Sequence, residues 1–86
     1  MFDITKGKGF KMTFANGWTV SVQFGGYNYC QHYDAPDGAG YRGPSKDAEI
    51  AAWDADGNWH DFGSDTVKGY VSTDDLLTFM NMIASK

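Results

Sequence analysis

Two stretches near the start of the chain alternate apolar and polar residues. Phe10, Met12 and Phe14 interleave with Lys11, Thr13 and Ala15, and Trp18, Val20, Val22 and Phe24 interleave with Thr19, Ser21 and Gln23. A period of two predicts strands with one buried face, here over residues 9–15 and 18–25. Asn16-Gly17 between them suggests a two-residue type I′ turn. That register, however, sets Phe14 opposite Thr19 and Met12 opposite Ser21, with apolar side chains on both faces. A loop of Ala15-Asn16-Gly17 instead pairs Phe14 with Trp18, Met12 with Val20 and Phe10 with Val22, and every large apolar side chain shares one face. A slip of one residue inverts a strand, so the pattern selects the longer loop, a type I turn with Gly17 left-handed in a bulge.

The same loop type is expected at Asp54-Ala55-Asp56-Gly57-Asn58, between strands at 48–54 and 58–63. It pairs Trp53 with Trp59 and Ile50 with Phe62. Ile50, Ala52 and Phe62 then line one face, and both tryptophans lie on the other. A further strand is expected at 67–71. From 73 to 85, Leu76, Phe79, Met80 and Ile83 recur at helical spacing, widened by Leu77 and Met82. Ser72 is placed as the N-cap, with Asp75 at the capping-box position and Val71 and Leu76 as a hydrophobic staple. Asp74 and Asp75 favour the positive end of the helix dipole. Strands followed by a helix indicate an α+β fold: an antiparallel sheet of about four to five strands (two hairpins plus one strand), with one C-terminal helix packed on one face.

The length of 86 residues points to one domain spanning 1–86. A chain this short buries only roughly 60–65% of its unfolded surface. The net charge of −4 has the wrong sign for general nucleic-acid binding. No apolar run reaches the ~18 residues of a membrane span, and the first residues lack the apolar stretch of a signal peptide. Cys30 has no partner for an internal disulfide, which fits a reducing compartment. Residues 26–47, rich in Gly, Tyr, Asp and Pro, are expected to form a long loop. Loops beyond about 12–15 residues are often functional.

Several chemistries find little support. Cys30 and His32, at i, i+2 spacing, would share one face if on a strand, but two residues do not define a nucleophile–base site, and Cys is often buried for packing alone. No metal site is expected, because CxxC, HxH and HExxH spacings are absent. The Asp54–Asn58 run places its glycine too early for a calcium loop and reads as a turn. No cofactor is expected, and no catalytic constellation supports an enzyme. What stands out is aromatic. Tyr27, Tyr29 and Tyr41 share the glycine-rich loop with Arg42, the only arginine, and with Lys46. A stacking ring beside a bidentate cation suits a nucleotide-like ligand. The plain alternative is that the tyrosines cap the core. Trp53 and Trp59, opposite the helix-covered face, are either a binding surface or a second small core closed by the loop.

The strings GFKMTFANGWTVSVQFG, NYC, AEIAAWDADGNW and VKGYVSTDDLLTFMNMIASK resemble a family of small, mostly uncharacterised proteins of tailed bacteriophages. The resemblance covers most of the chain, leaves 31–45 as its variable part, and transfers no functional residue. It implies a phage accessory protein in the host cytoplasm, for which counter-defence is a frequent role. Two function classes follow. The first is a non-catalytic protein that sequesters a small nucleotide-derived immune signal, as a homo-oligomer with sites at subunit junctions. The second is an anti-CRISPR-like inhibitor that binds a host defence protein. The expected ligand-binding residues are Tyr27, Tyr29, Tyr41, Arg42, Lys46, Trp53 and Trp59.

Overall fold

The computed structural model describes residues 1–5, 8–24, 29–31 and 44–86. Among these residues five strands lie in chain order in one antiparallel sheet: β1 (Phe2–Ile4), β2 (Gly9–Thr13), β3 (Thr19–Gln23), β4 (Asp47–Trp53) and β5 (Lys68–Ser72). Among the described residues one helix, α1 (Thr73–Ala84), follows directly from β5. The fold is α+β.

The first hairpin has the register that its apolar alternation demands. Phe10 faces Val22 and Met12 faces Val20. The Phe14 N–H donates to the Trp18 carbonyl at 2.8 Å, and the Gly17 N–H donates to the Phe14 carbonyl at 3.0 Å. This bonding needs a left-handed residue at the loop's end, and Gly17 has φ 87°. The turn from Asp54 to Asn58 repeats the two bonds, with Gly57 at φ 83°.

The second hairpin is shorter than expected, and residues 58–63 do not form a strand. Trp59 makes one bridge to Trp53, and the His60 N–H donates to the Ala52 carbonyl at 2.8 Å. The chain then leaves the sheet, and Ile50 faces Lys68 of β5 rather than Phe62. The departure carries the Phe62 ring toward the helix, where its centroid lies 5.3 Å from Phe79 and 4.8 Å from His60. Burial against the helix core therefore prevails over a longer ladder. β1 goes beyond the predicted strands. With only Phe2 and Ile4 to mark it, its alternation is too brief to register as a strand.

The core joins Val20, Val22, Ala48, Ile50, Ala52 and Val71 of the sheet to Phe79 and Ile83 of the helix. Phe10, Phe14, Trp18, Phe62, Leu76 and Met80 pack around it. Met12, expected beneath the helix, is half-buried outside this cluster. Leu77 and Met82 do not widen the buried stripe and are 57% and 44% exposed. The Ser72 hydroxyl accepts from the Asp75 N–H at 3.2 Å, the N-cap that the sequence predicts. The other helix end is tied by Asn16, whose side-chain amide donates to the carbonyls of Ile83 at 2.9 Å and of Ala84 and Lys86 at 3.3 Å. The β2–β3 turn thus satisfies carbonyls that a helix C-terminus leaves unpaired.

Candidate functional site

Side chains alternate along β4. Ala48, Ile50 and Ala52 enter the helix-covered core, so Asp47, Glu49, Ala51 and Trp53 occupy the opposite face. Register adds Ser21 beside Ala51, Thr19 beside Trp53, and Lys11 of β2 beside Ser21. This face carries two separate features, one at each end of β4.

At the Trp53 end, the bridge to Trp59 brings the two indoles together at 4.8 Å between centroids, tilted by 32°. Trp53 is half-buried and Trp59 is 50% exposed. The Lys11 ammonium lies 5.8 Å from the Trp53 ring centre, within cation–π range. The tips of the two hairpins stand side by side here, since a Cβ on Gly17 would lie 3.2 Å from that of Ala55.

The turn below Trp59 is organised by Asp54. Its carboxylate accepts from the N–H groups of Asp56 and Asn58, both at 2.9 Å, and from the Asn58 side-chain amide at 3.2 Å. These donors, the Asn58 N–H foremost, stabilise the charged form and hold the carboxyl below its ordinary value. The carboxylate is engaged within its own turn, as the turn reading requires.

At the other end, a short segment is laid over the sheet. The Tyr29 N–H donates to the Glu49 carboxylate at 2.7 Å, and the Gln31 N–H donates to the Asp47 carboxylate at 2.5 Å. The Gln31 side-chain carbonyl accepts from the Lys46 N–H at 2.9 Å, and the Tyr29 carbonyl accepts from the Tyr70 N–H at 2.8 Å. Tyr29 lies so close over Gly69 that an added Cβ there would sit 2.4 Å from the Tyr29 Cβ. Between the two latch points Cys30 is 1% exposed.

The expected site residues are therefore divided. Trp53 and Trp59 meet as the sequence pattern indicates. Tyr29 and Lys46 stand at the far end of β4. Glu49, which holds Tyr29, is four residues from Trp53, roughly 13 Å at ~3.3 Å per residue, and Lys46 is farther still. Tyr27, Tyr41 and Arg42 lie outside the described residues, as does His32. Lys11 is the residue that sequence reasoning missed. Alternation puts it opposite the core, but its approach to Trp53 depends on the β3–β4 pairing, which joins segments far apart in the chain.

Among the described residues, no three His, Cys, Asp or Glu side chains are grouped to hold a metal ion. Among them, too, no helix is long and apolar enough to cross a membrane. A cavity of about 100 Å³ lies near Phe24, Val71 and Leu76, well below the ~300 Å³ at which small-molecule pockets begin. Comparison with protein-family models, with curated proteins and with solved structures finds no match for this chain.

Proposed function

We propose that this protein works by binding rather than by catalysis, and that Trp53, Trp59 and Lys11 form its contact surface for a nucleotide-like molecule. One observation carries the reading. A half-exposed indole stacks on a second one, beneath a lysine, on the sheet face opposite the helix core. A planar base extends such a stack, and base–aromatic stacking contributes about 1–3 kcal/mol per base. The Lys11 ammonium supplies a point charge for a phosphate. Asp54 and Asp56 beside the platform, with the net charge of −4, disfavour a polyanion and favour a ligand of low charge. In a phage setting, this activity would sequester a nucleotide-derived immune signal.

A second reading rests on the same residues. Trp is among the residues most enriched at protein-interface hot spots, and a stacked pair with Trp59 exposed at the end of a strand suits a host defence protein as partner. One experiment separates the two. The protein is incubated with an extract of nucleotide signals, washed and denatured, and the released compounds are identified by mass spectrometry. Release of an intact compound, lost in Trp59→Ala, supports the first reading. Co-purification of one host protein, lost in the same variant with no compound released, supports the second. Turnover of the added compound overturns both.

A further inference from the structure

The sheet has two edges, and they are finished differently. At β5, the Tyr70 N–H is taken by the Tyr29 carbonyl, the strand is bulged against β4 between Ala48 and Ile50, and Tyr70 has φ 57°. Such features block further strand pairing. At β1, the odd-numbered residues face inward. The Met1 carbonyl accepts from the Thr13 N–H at 2.8 Å, the Thr5 N–H donates to the Gly9 carbonyl at 3.0 Å, and Asp3 stands opposite Lys11. Alternation then turns the N–H and C=O groups of Phe2 and Ile4 outward. Their side chains, 71% and 81% exposed, lie on the helix side of the sheet, but the helix packs on β4 and β5 and does not reach them.

We propose that β1 pairs antiparallel with β1 of a second copy of this chain, about a two-fold axis at Asp3, to make one sheet running through both copies. The edge is complementary to itself. Phe2 falls opposite Ile4 of the second copy, so each outward donor meets an outward acceptor. An aromatic side chain then lies against a β-branched one on the same face, a favourable cross-strand pair. Because β5 is already occupied, the assembly closes at two copies rather than growing into a filament.

The charges on the opposite face set its strength. The two Asp3 carboxylates stand directly across from each other, each flanked by the Lys11 of its own copy, so the row of four is neutral but has like charges at its centre. Like charges in opposition weaken a strand pair. The contact of two short strands is also smaller than the ~800 Å² per partner of a standard interface. The dimer is accordingly weak, and it tightens when the carboxylate is removed. The two Trp53–Trp59 platforms lie on strands seven spacings apart, roughly 34 Å at ~4.8 Å each, so each copy keeps its own site. This pairing stands independently of what the platforms bind.

Sedimentation equilibrium of the full chain over a wide concentration range tests it. The expected result is a monomer–dimer equilibrium that Asp3→Asn strengthens and Ile4→Lys weakens by about tenfold or more. Ile4 is 81% exposed, so its variant is expected to fold, which a circular dichroism spectrum matching that of the parent checks. Directly opposed residues in a non-hydrogen-bonded pair have Cα atoms about 4.5 Å apart, within disulfide range. With oxidised glutathione as electron acceptor, Asp3→Cys is therefore expected to form a disulfide-linked dimer, whereas Phe2→Cys, facing Ile4, does so poorly. A monomer at every concentration for both the parent and Asp3→Asn overturns the proposal. So does a dimer that is indifferent to Ile4→Lys and fails to cross-link through position 3.

Discussion

The two faces of β4 are held by different physics. On one, Ala48, Ile50 and Ala52 close beneath Phe79 and Ile83, and stabilisation grows with the apolar area removed from water. On the other, Asp47 and Glu49 accept main-chain N–H groups from a distant segment, and Trp53 stacks on Trp59. Burial on the helix face is non-directional and sums over many side chains. The opposite face depends on a few directional contacts, each of which is lost if a single partner moves. Packing therefore sets overall stability, while the second face is the place where local structure is adjusted without unfolding the whole.

The sharpest challenge to this contrast is Ile83→Ala. Ile83 is fully buried, and its truncation is expected to cost about 2–5 kcal/mol by urea denaturation. A loss no larger than that of a surface substitution would mean that the helix face does not carry the fold. Gly69→Ala probes the opposite side. The new methyl would meet Tyr29 at 2.4 Å from its Cβ and 3.0 Å from its backbone carbonyl, so overpacking is expected to cost about 1–3 kcal/mol. The same change is expected to speed thiol labelling of Cys30 well before global unfolding. Unchanged labelling would show that the 29–31 segment is not what buries the thiol.

Smaller effects refine the picture. Asn16→Ala removes the donor shared by three carbonyls at the helix C-terminus and is expected to cost about 1 kcal/mol, with faster hydrogen exchange at the last helical turn. Loss confined to the β2–β3 turn would argue that the helix end is held by other contacts. The smallest effect concerns Asp54, whose carboxyl is held below its ordinary 3.8 in the fold. The unfolded chain thus takes up its proton first as pH falls, so the stabilisation is present above 3.8 and disappears as pH drops through the lowered folded value. Asp54→Asn is expected to flatten that part of the acid denaturation curve, by lowering stability slightly at neutral pH and leaving it unchanged below the folded value. An identical acid limb in the variant would show that the turn gains nothing from the charge.

What could be read from the sequence follows the same division. The first hairpin, its loop and the N-cap at Ser72 rest on local patterns, namely alternation, a glycine at the required place and a serine before an amphipathic run. The Trp53–Trp59 pairing was legible for the same reason, since both residues flank one turn. Phe62 does pack on the helix-covered face, as the alternation indicates, but not as the ladder partner of Ile50, because alternation alone cannot report that its ring gains more against Phe79 than its backbone gains in a ladder. Lys11 over Trp53, Asn16 on the helix end and the amides of Tyr29 and Gln31 on β4 all join segments far apart in sequence. No local periodicity encodes such contacts; they follow only once the sheet order is known.

The latch on Asp47 and Glu49 has one more consequence. Two carboxylates grip peptide N–H groups, which every residue but proline supplies, so the grip makes little demand on the side chain at 29. A small apolar residue at position 30 and an amide-bearing residue at 31 are the main requirements. The segment at 29–31 can therefore take other sequences that keep these two features, because the scaffold beneath holds it largely through its main chain.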